Sequence, residues 1–198
     1  MIKHLFFLLL ITLTIPSLAM AQQAEEKSEY RYAPDKCGFE LTLPEAPYTV
    51  KKCEKDNGKD CYTLSTFTQV YSMNTSLRMD ITCSPISKTI AQRYTDDIMK
   101  QTLEAMTDKS LIKIGETFSR STDRYKQATL LGEGLQGRTP TLFMAQLWID
   151  ESSAFAVKAE IVGEALTEAD TVFSEILRSI KPIDLTEEND QAAADAEE

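Results

Sequence analysis

The chain has one histidine and one tryptophan among 198 residues, and the histidine, His4, sits in a segment that reads as removable. Residues 1–21 open with Lys3, run apolar from Leu5 to Ile15, break at Pro16-Ser17 and end in Ala19-Met20-Ala21. That order predicts a signal peptide cut after Ala21. The remainder holds no histidine, which excludes Ser-His-Asp and Cys-His catalytic arrangements, a histidine general base and histidine metal ligands. There is no cluster of Lys and Arg, which argues against nucleic acid and against docking on anionic lipid. The leader's apolar run falls short of the roughly 20 residues a membrane span needs. No later run approaches that length, and Gln22 follows the cut where a lipid tether requires cysteine. These features predict a periplasmic or secreted protein without a membrane anchor.

What is present is an ordinary globular composition, 42% hydrophobic, with its charge unevenly spread. The formal charge is -10, and the leader takes only Lys3 with it. Residues 184–198 carry seven acids and no Lys or Arg, leaving the body only mildly acidic. That acidic stretch, with Ala192-Ala193-Ala194 inside it, has too little apolar surface to offset the entropy of ordering and reads as a disordered tail. Residues 22–33 read as a flexible, polar lead-in. One domain is expected over 34–183.

The domain opens with strand signals at Gly38–Leu43, stopped by Pro44, and at Tyr48–Lys52. Strands follow at Tyr62–Tyr71 and Leu77–Cys83, where Leu77, Met79, Ile81 and Cys83 alternate with Arg78, Asp80 and Thr82. From Ser87 to Thr107 the period changes: Ile90, Ala91, Tyr94, Ile98, Leu103 and Met106 mark one face of a single helix. Leu111–Ile114, Gln127–Leu131, Thr141–Ile149 and Ala154–Val162 read as further strands. Thr167-Glu168-Ala169-Asp170 resembles a capping box opening a last helix that Pro182 ends. Strands grouped together, not alternating with helices, predict an α+β domain: an antiparallel β-sheet flanked by two main helices.

With that order of elements the chain resembles the PsbP/DcrB-like fold group. Gly38-Phe39-Glu40-Leu41-Thr42-Leu43-Pro44 resembles its opening strand and proline. Phe173-Ser174-Glu175-Ile176-Leu177-Arg178-Ser179-Ile180-Lys181-Pro182 resembles its closing helix. The resemblance implies a PsbP-like architecture and mildly favours a binding role, because members of that group have unrelated functions and are generally not enzymes. The chain departs from the DcrB-type pattern in lacking a lipid-anchor cysteine.

Four cysteines in an exported chain predict two disulfides, with three pairings open. The Asn57-Gly58 turn favours Cys53 with Cys61, leaving Cys37 with Cys83. Spacings of 16, 8 and 22 residues do not supply the close pairs of a four-cysteine zinc site. Gly132, Gly134 and Gly137 spell GxGxxG, but a strand and not a helix follows, so they read as a loop between strands. Ser110 and Lys113 spell Ser-x-x-Lys on an entering strand, whereas that chemistry needs the serine at a helix start. Asp56, Asn57 and Asp60 lack the calcium-loop spacing, because Cys53 and Lys55 fall on ligand positions. Asp96 and Asp97 are adjacent on a helix and read as a solvated face. No catalytic, cofactor or metal site is identified.

The strand 141–149 is apolar on both faces: Phe143, Ala145, Leu147 and Ile149 on one, Leu142, Met144 and Trp148 around Gln146 on the other. This predicts a central strand covered on both sides, one by each helix. The alternative is that Leu142, Met144 and Trp148 stay partly exposed as a surface for a protein partner or apolar ligand. The sequence therefore favours a non-catalytic binding module over a hydrolase or transferase using carboxylates or a Ser/Lys pair.

Overall fold

The computed structural model describes residues 29–53, 61–107 and 112–183. Among them, five antiparallel strands come first: β1 (Tyr30–Tyr32), β2 (Phe39–Leu43), β3 (Tyr48–Cys53), β4 (Cys61–Ser72) and β5 (Thr75–Pro85). Two helices follow, α1 (Lys88–Arg93) and α2 (Asp96–Ala105), and then a four-stranded meander of β6 (Ile112–Ser121), β7 (Lys126–Gln136), β8 (Thr139–Ile149) and β9 (Ser153–Gly163). Helix α3 (Thr167–Ser179) and the two-residue β10 (Lys181–Pro182) close the chain. The fold is α+β, as expected, but it differs from one sheet between two helices. There are two sheets: a seven-stranded sheet ordered β3-β4-β5-β9-β8-β7-β6 and a three-stranded sheet ordered β1-β2-β10. The reason is that β1 and β10 are too short to show a period-2 signal, yet both pair antiparallel with β2. Residues 22–33, expected as a lead-in, thus give their last part to β1, and residues 22–28 lie outside those described.

The expected single helix over 87–107 is two helices. Ser87 caps α1, its hydroxyl accepting from the Ile90 amide, and Thr95 caps α2 in the same way from Ile98. A threonine followed by Asp96 and Asp97 is a helix start, with acids in the first turn opposing the dipole; continuous apolar spacing concealed it. Lys126 fixes the break by donating from Nζ to the Tyr94 carbonyl (2.7 Å). The capping box proposed at Thr167 does not form. Thr167 is already the first helical residue, and Leu166 precedes it without a side-chain cap bond.

The crossover from β5 to β6 carries α2 over one face of the large sheet. There Met99 and Leu103, both fully buried, join Ala128, Leu130, Phe143, Ala145, Leu147 and Ile149. On the other face, α3 lays Ala169, Val172, Phe173, Ile176 and Leu177 against Phe67, Leu77, Met79, Ile81, Phe155 and Val157. Strand β8 crosses the region where the two cores overlap, which is why both of its faces are apolar. Burying each of these larger side chains is worth roughly 1.5–3 kcal/mol.

The small sheet is held together by Glu40, whose carboxylate is buried. Arg31 of β1 donates to it from Nε at 2.7 Å, and the Lys181 ammonium of β10 lies 3.4 Å away. Arg31, Glu40 and Lys181 come from three different strands, so one carboxylate ties β1, β2 and β10.

The four cysteines form two disulfides, Cys37–Cys83 and Cys53–Cys61, separated by 46 and 8 residues in the chain. The first joins the small sheet to β5; the second closes the β3–β4 hairpin. In the chain-entropy model the longer loop contributes about 4 kcal/mol and the shorter about 2.5. Replacing Cys37 and Cys83 by serine should therefore lower unfolding free energy more than the same change at Cys53 and Cys61, as read by urea denaturation.

Tyr71 on β4 has a hydroxyl with no hydrogen-bond partner. Burial, aided by the Glu168 carboxylate, raises its phenol to about 12. A raised pKa means the folded state holds the proton longer. The associated stability is complete below the unfolded value of about 10 and is lost as pH rises through about 12. Tyr71→Phe should match the parent at neutral pH and lose less stability above pH ~10, compared by paired thermal melts.

Candidate binding cleft

The end of the large sheet nearest the Cys37–Cys83 disulfide carries a hollow that combines apolar walls with charged residues. Its architecture starts from the Asp150–Ser153 turn between β8 and β9. Asp150 Oδ1 accepts from the Ser152 amide (2.7 Å), the Ser153 amide (2.6 Å) and the Ser152 hydroxyl (2.9 Å), while Oδ2 accepts from the Ser153 hydroxyl (3.1 Å). A short polar side chain bonding its own turn in this way is the mechanism that favours Asp at such positions. The Gly38 amide then donates to Ser153 Oγ at 2.9 Å, and the Ile183 amide to the Gly38 carbonyl at 2.9 Å. Gly38 is required by contact: a Cβ there would fall 1.6 Å from Asp150 Oδ2.

Around this joint lies a cleft of about 410 Å³, lined by Cys37, Phe39, Pro85, Tyr125, Pro182 and Ile183, with Lys36, Arg124 and Asp150 also on its wall. A second hollow of about 150 Å³ adjoins it, sharing Arg124, Tyr125 and Asp150 and reaching Lys126, Asp123 and the Lys88–Glu151 ion pair (2.6 Å). Lys36 adopts a left-handed conformation (φ 61°), which costs a residue with a Cβ about 1 kcal/mol. Asp150 spends its hydrogen-bonding capacity on its own turn but keeps its charge, so the wall sets Lys36 and Arg124 beside one carboxylate.

The wall is backed by four aromatic rings. Phe39 lies 5.9 Å from Phe155, 5.7 Å from Trp148 and 6.2 Å from Tyr125 between ring centroids, and Tyr125 lies 5.2 Å from Trp148. Such contacts are each worth about 1 kcal/mol beyond area burial. Tyr125 is aimed by the β6–β7 turn: Thr122 Oγ1 donates to the Tyr125 carbonyl (3.0 Å) and accepts from its amide (3.1 Å). Arg120 holds it from the side, donating from Nη2 to the Tyr125 hydroxyl (3.0 Å) and from Nε to Gln127 Oε1 (2.7 Å). The indole Nε1–H of Trp148 donates to Gln146 Oε1 at 3.0 Å.

The structure divides the surface proposed from sequence. Trp148 is 4% exposed and belongs to the core, because its indole fills the space between Phe39 and Tyr125. Leu142 and Met144 on the same face are partly buried against the α3 core. The sequence marks Phe39 only as part of a strand signal and does not mark Tyr125, which stands alone after a polar turn and gives no periodic signal. Gly132 and Gly134 lie within β7, Gly137 (φ 67°) in the turn after it, and Lys113 on β6, so neither spelled motif assembles a site. Ser110, Asp56, Asn57 and Asp60 fall outside the described residues, as do the leader and the acidic tail. Among the described residues no three His, Cys, Asp or Glu side chains converge as metal ligands, and no helix is long and apolar enough to cross a membrane.

No family model matches the chain, and no curated sequence matches it significantly. Several solved structures are similar to it, among them two described by name. One is the solution structure of cyanobacterial PsbP (CyanoP) from Synechocystis sp. PCC 6803, at 18% identity over 84% of this chain and 99% of that one, with a TM-score of 0.43. The other is the crystal structure of LpqN, involved in cell envelope biogenesis of Mycobacterium tuberculosis, at 9% identity over 78% of this chain and 91% of that one, with a TM-score of 0.38. The resemblance is PsbP-like and weak. No residue of the cleft takes a role from it.

Gly38→Ala should cost about 2 kcal/mol, the scale of overpacking a tight junction, because the new methyl displaces Asp150 from its turn. Thermal unfolding should show the loss, with a red shift of Trp148 emission at temperatures where the variant is still folded.

Proposed function

We propose that this chain is an exported, non-catalytic binding module. Its cleft takes a small apolar or aromatic group bearing a negative charge, either free or carried on a protein partner. The observation that carries the reading is Tyr125, a half-buried ring on the wall of an open cleft. It lies tilted against Trp148 at 38° and is held by Arg120 and the Thr122 turn. A ring fixed by its surroundings offers contact area at small entropic cost to a ligand. The reading assigns the charge preference to Lys36, which stands on the wall with Arg124 and Asp150. Two disulfides support an oxidising location, in agreement with the leader expected over residues 1–21.

The test uses anilinonaphthalene sulfonate, an aromatic anion, titrated into the mature protein while Trp148 emission is followed. Binding should quench or shift Trp148, and Tyr125→Ala should weaken it about tenfold, the effect of losing one anchoring side chain. Unchanged Trp148 emission at saturation, or equal affinity in Tyr125→Ala, would rule the cleft out as the site.

A further inference from the structure

A different part of the molecule points to a partner. Strand β6 ends the seven-stranded sheet, and among the described residues it pairs with β7 alone. An open edge of this kind presents unpaired backbone donors and acceptors, and folded proteins blunt such edges by shortness, charge or bulges. The opposite edge, β3, is blunted: it is six residues long, carries Lys51 and Lys52, and ends in the Cys53–Cys61 disulfide. In β6 only the first half is protected. Its register with β7 shifts between Ile114 and Thr117, and a Cβ on Gly115 would stand 2.8 Å from the Leu131 carbonyl oxygen. Beyond that bulge, Thr117–Ser121 runs in regular register and contains no proline.

This open half exposes one large apolar side chain. Phe118 is 61% exposed and pairs with Thr129, which puts it on the same face as Leu131 (37%) and Leu135 (54%) of β7. The partly buried Met144 and Leu142 continue that face on β8, opposite Leu131 and Glu133. Helix α2 lies on the reverse face, and α3 sits over β2, β5 and β9. The result is a face on which Phe118, Leu131 and Leu135 stand exposed among Thr129 and Glu133, beside an unpaired edge.

The charges on β6 identify what fits it. Glu116, the last residue of the bulge, and Arg120 stand two residues to either side of Phe118. When β6 lies antiparallel to another β6 about an axis through Phe118, the two phenylalanines meet and each Glu116 faces the other copy's Arg120. Arg120 spends two of its five N–H groups on Gln127 and Tyr125, and the others are open to this pairing. We infer that two copies of this chain associate through β6, joining their large sheets edge to edge around Phe118 in an isologous dimer. The inference does not rest on the cleft's having a ligand, although Arg120 serves both, since it also holds Tyr125.

Sedimentation equilibrium of the mature protein over a concentration series decides it. A reversible dimer is expected, and Phe118→Lys should abolish it while circular dichroism stays native. Glu116→Arg alone sets like charges opposite each other twice and should raise the dissociation constant about tenfold. The double variant Glu116→Arg with Arg120→Glu should recover most of that loss, which a general effect of either substitution on folding would not do. A protein that stays monomeric at every concentration overturns the inference and leaves the edge to a strand of another protein. A dimer indifferent to Phe118→Lys or to the charge exchange overturns it as well.

Discussion

The structure depends on one junction, where the start of β2 meets the turn between β8 and β9. Three connections coincide there: the Cys37–Cys83 disulfide, the bond from the Gly38 amide to Ser153, and the Asp150 carboxylate that holds the turn in shape. The small sheet contributes Phe39, Leu41 and Leu43 to the main core, all essentially inaccessible to water. None of that burial is secured unless the strand is fixed in register over the large sheet. Covalent and polar fastening at one end therefore sustains apolar contact along the whole strand. The cleft is a by-product of the same joint, since its walls are the residues that flank it.

The large sheet explains the distribution of the helices. Each face is covered over only part of its width: α2 covers β6 to β8 on one side, and α3 with the small sheet covers β4, β5 and β9 on the other. The uncovered part of the α2 face is polar, with Arg78 bonded to Asp80 and Lys158 to Glu160, as expected of an antiparallel sheet meeting water. The uncovered part of the α3 face is not polar in the same way, because Phe118, Leu131 and Leu135 lie there. That asymmetry separates a solvated surface from one with something to cover.

Much of this was legible in the sequence where periodicity was long. The alternation of Leu77 to Cys83 and the two apolar faces of β8 both follow from burial, which the chain records directly. Short or singular features were not legible. The break at Tyr94 and Thr95 was hidden because Ile90 to Met106 keeps a helical spacing across it. The supposed cap at Thr167 misled because Leu166 occupies the capping position without a polar side chain. Tyr125 and Gly38 matter through what approaches them in space, from strands far away in the chain. Alternation along β8 puts Trp148 on a face with Leu142 and Met144, but whether that face meets solvent or Phe39 depends on a sheet of three short strands that composition does not announce.

The strand order carries a kinetic consequence. β3, β4 and β5 form one run of neighbours, and β6 to β9 form another, so nearly every pairing in the large sheet joins strands adjacent in sequence. The exception is the seam between β5 and β9, from Thr75 opposite Gly163 to Pro85 opposite Ser153. Closing that seam alone bears the loop entropy of everything between, α1, α2 and three strands included. Contact order then assigns the slow step of folding to the meeting of two meanders that can each assemble locally. The Cys37–Cys83 bridge, anchored on β5 beside that seam, adds the small sheet to whatever the seam has joined.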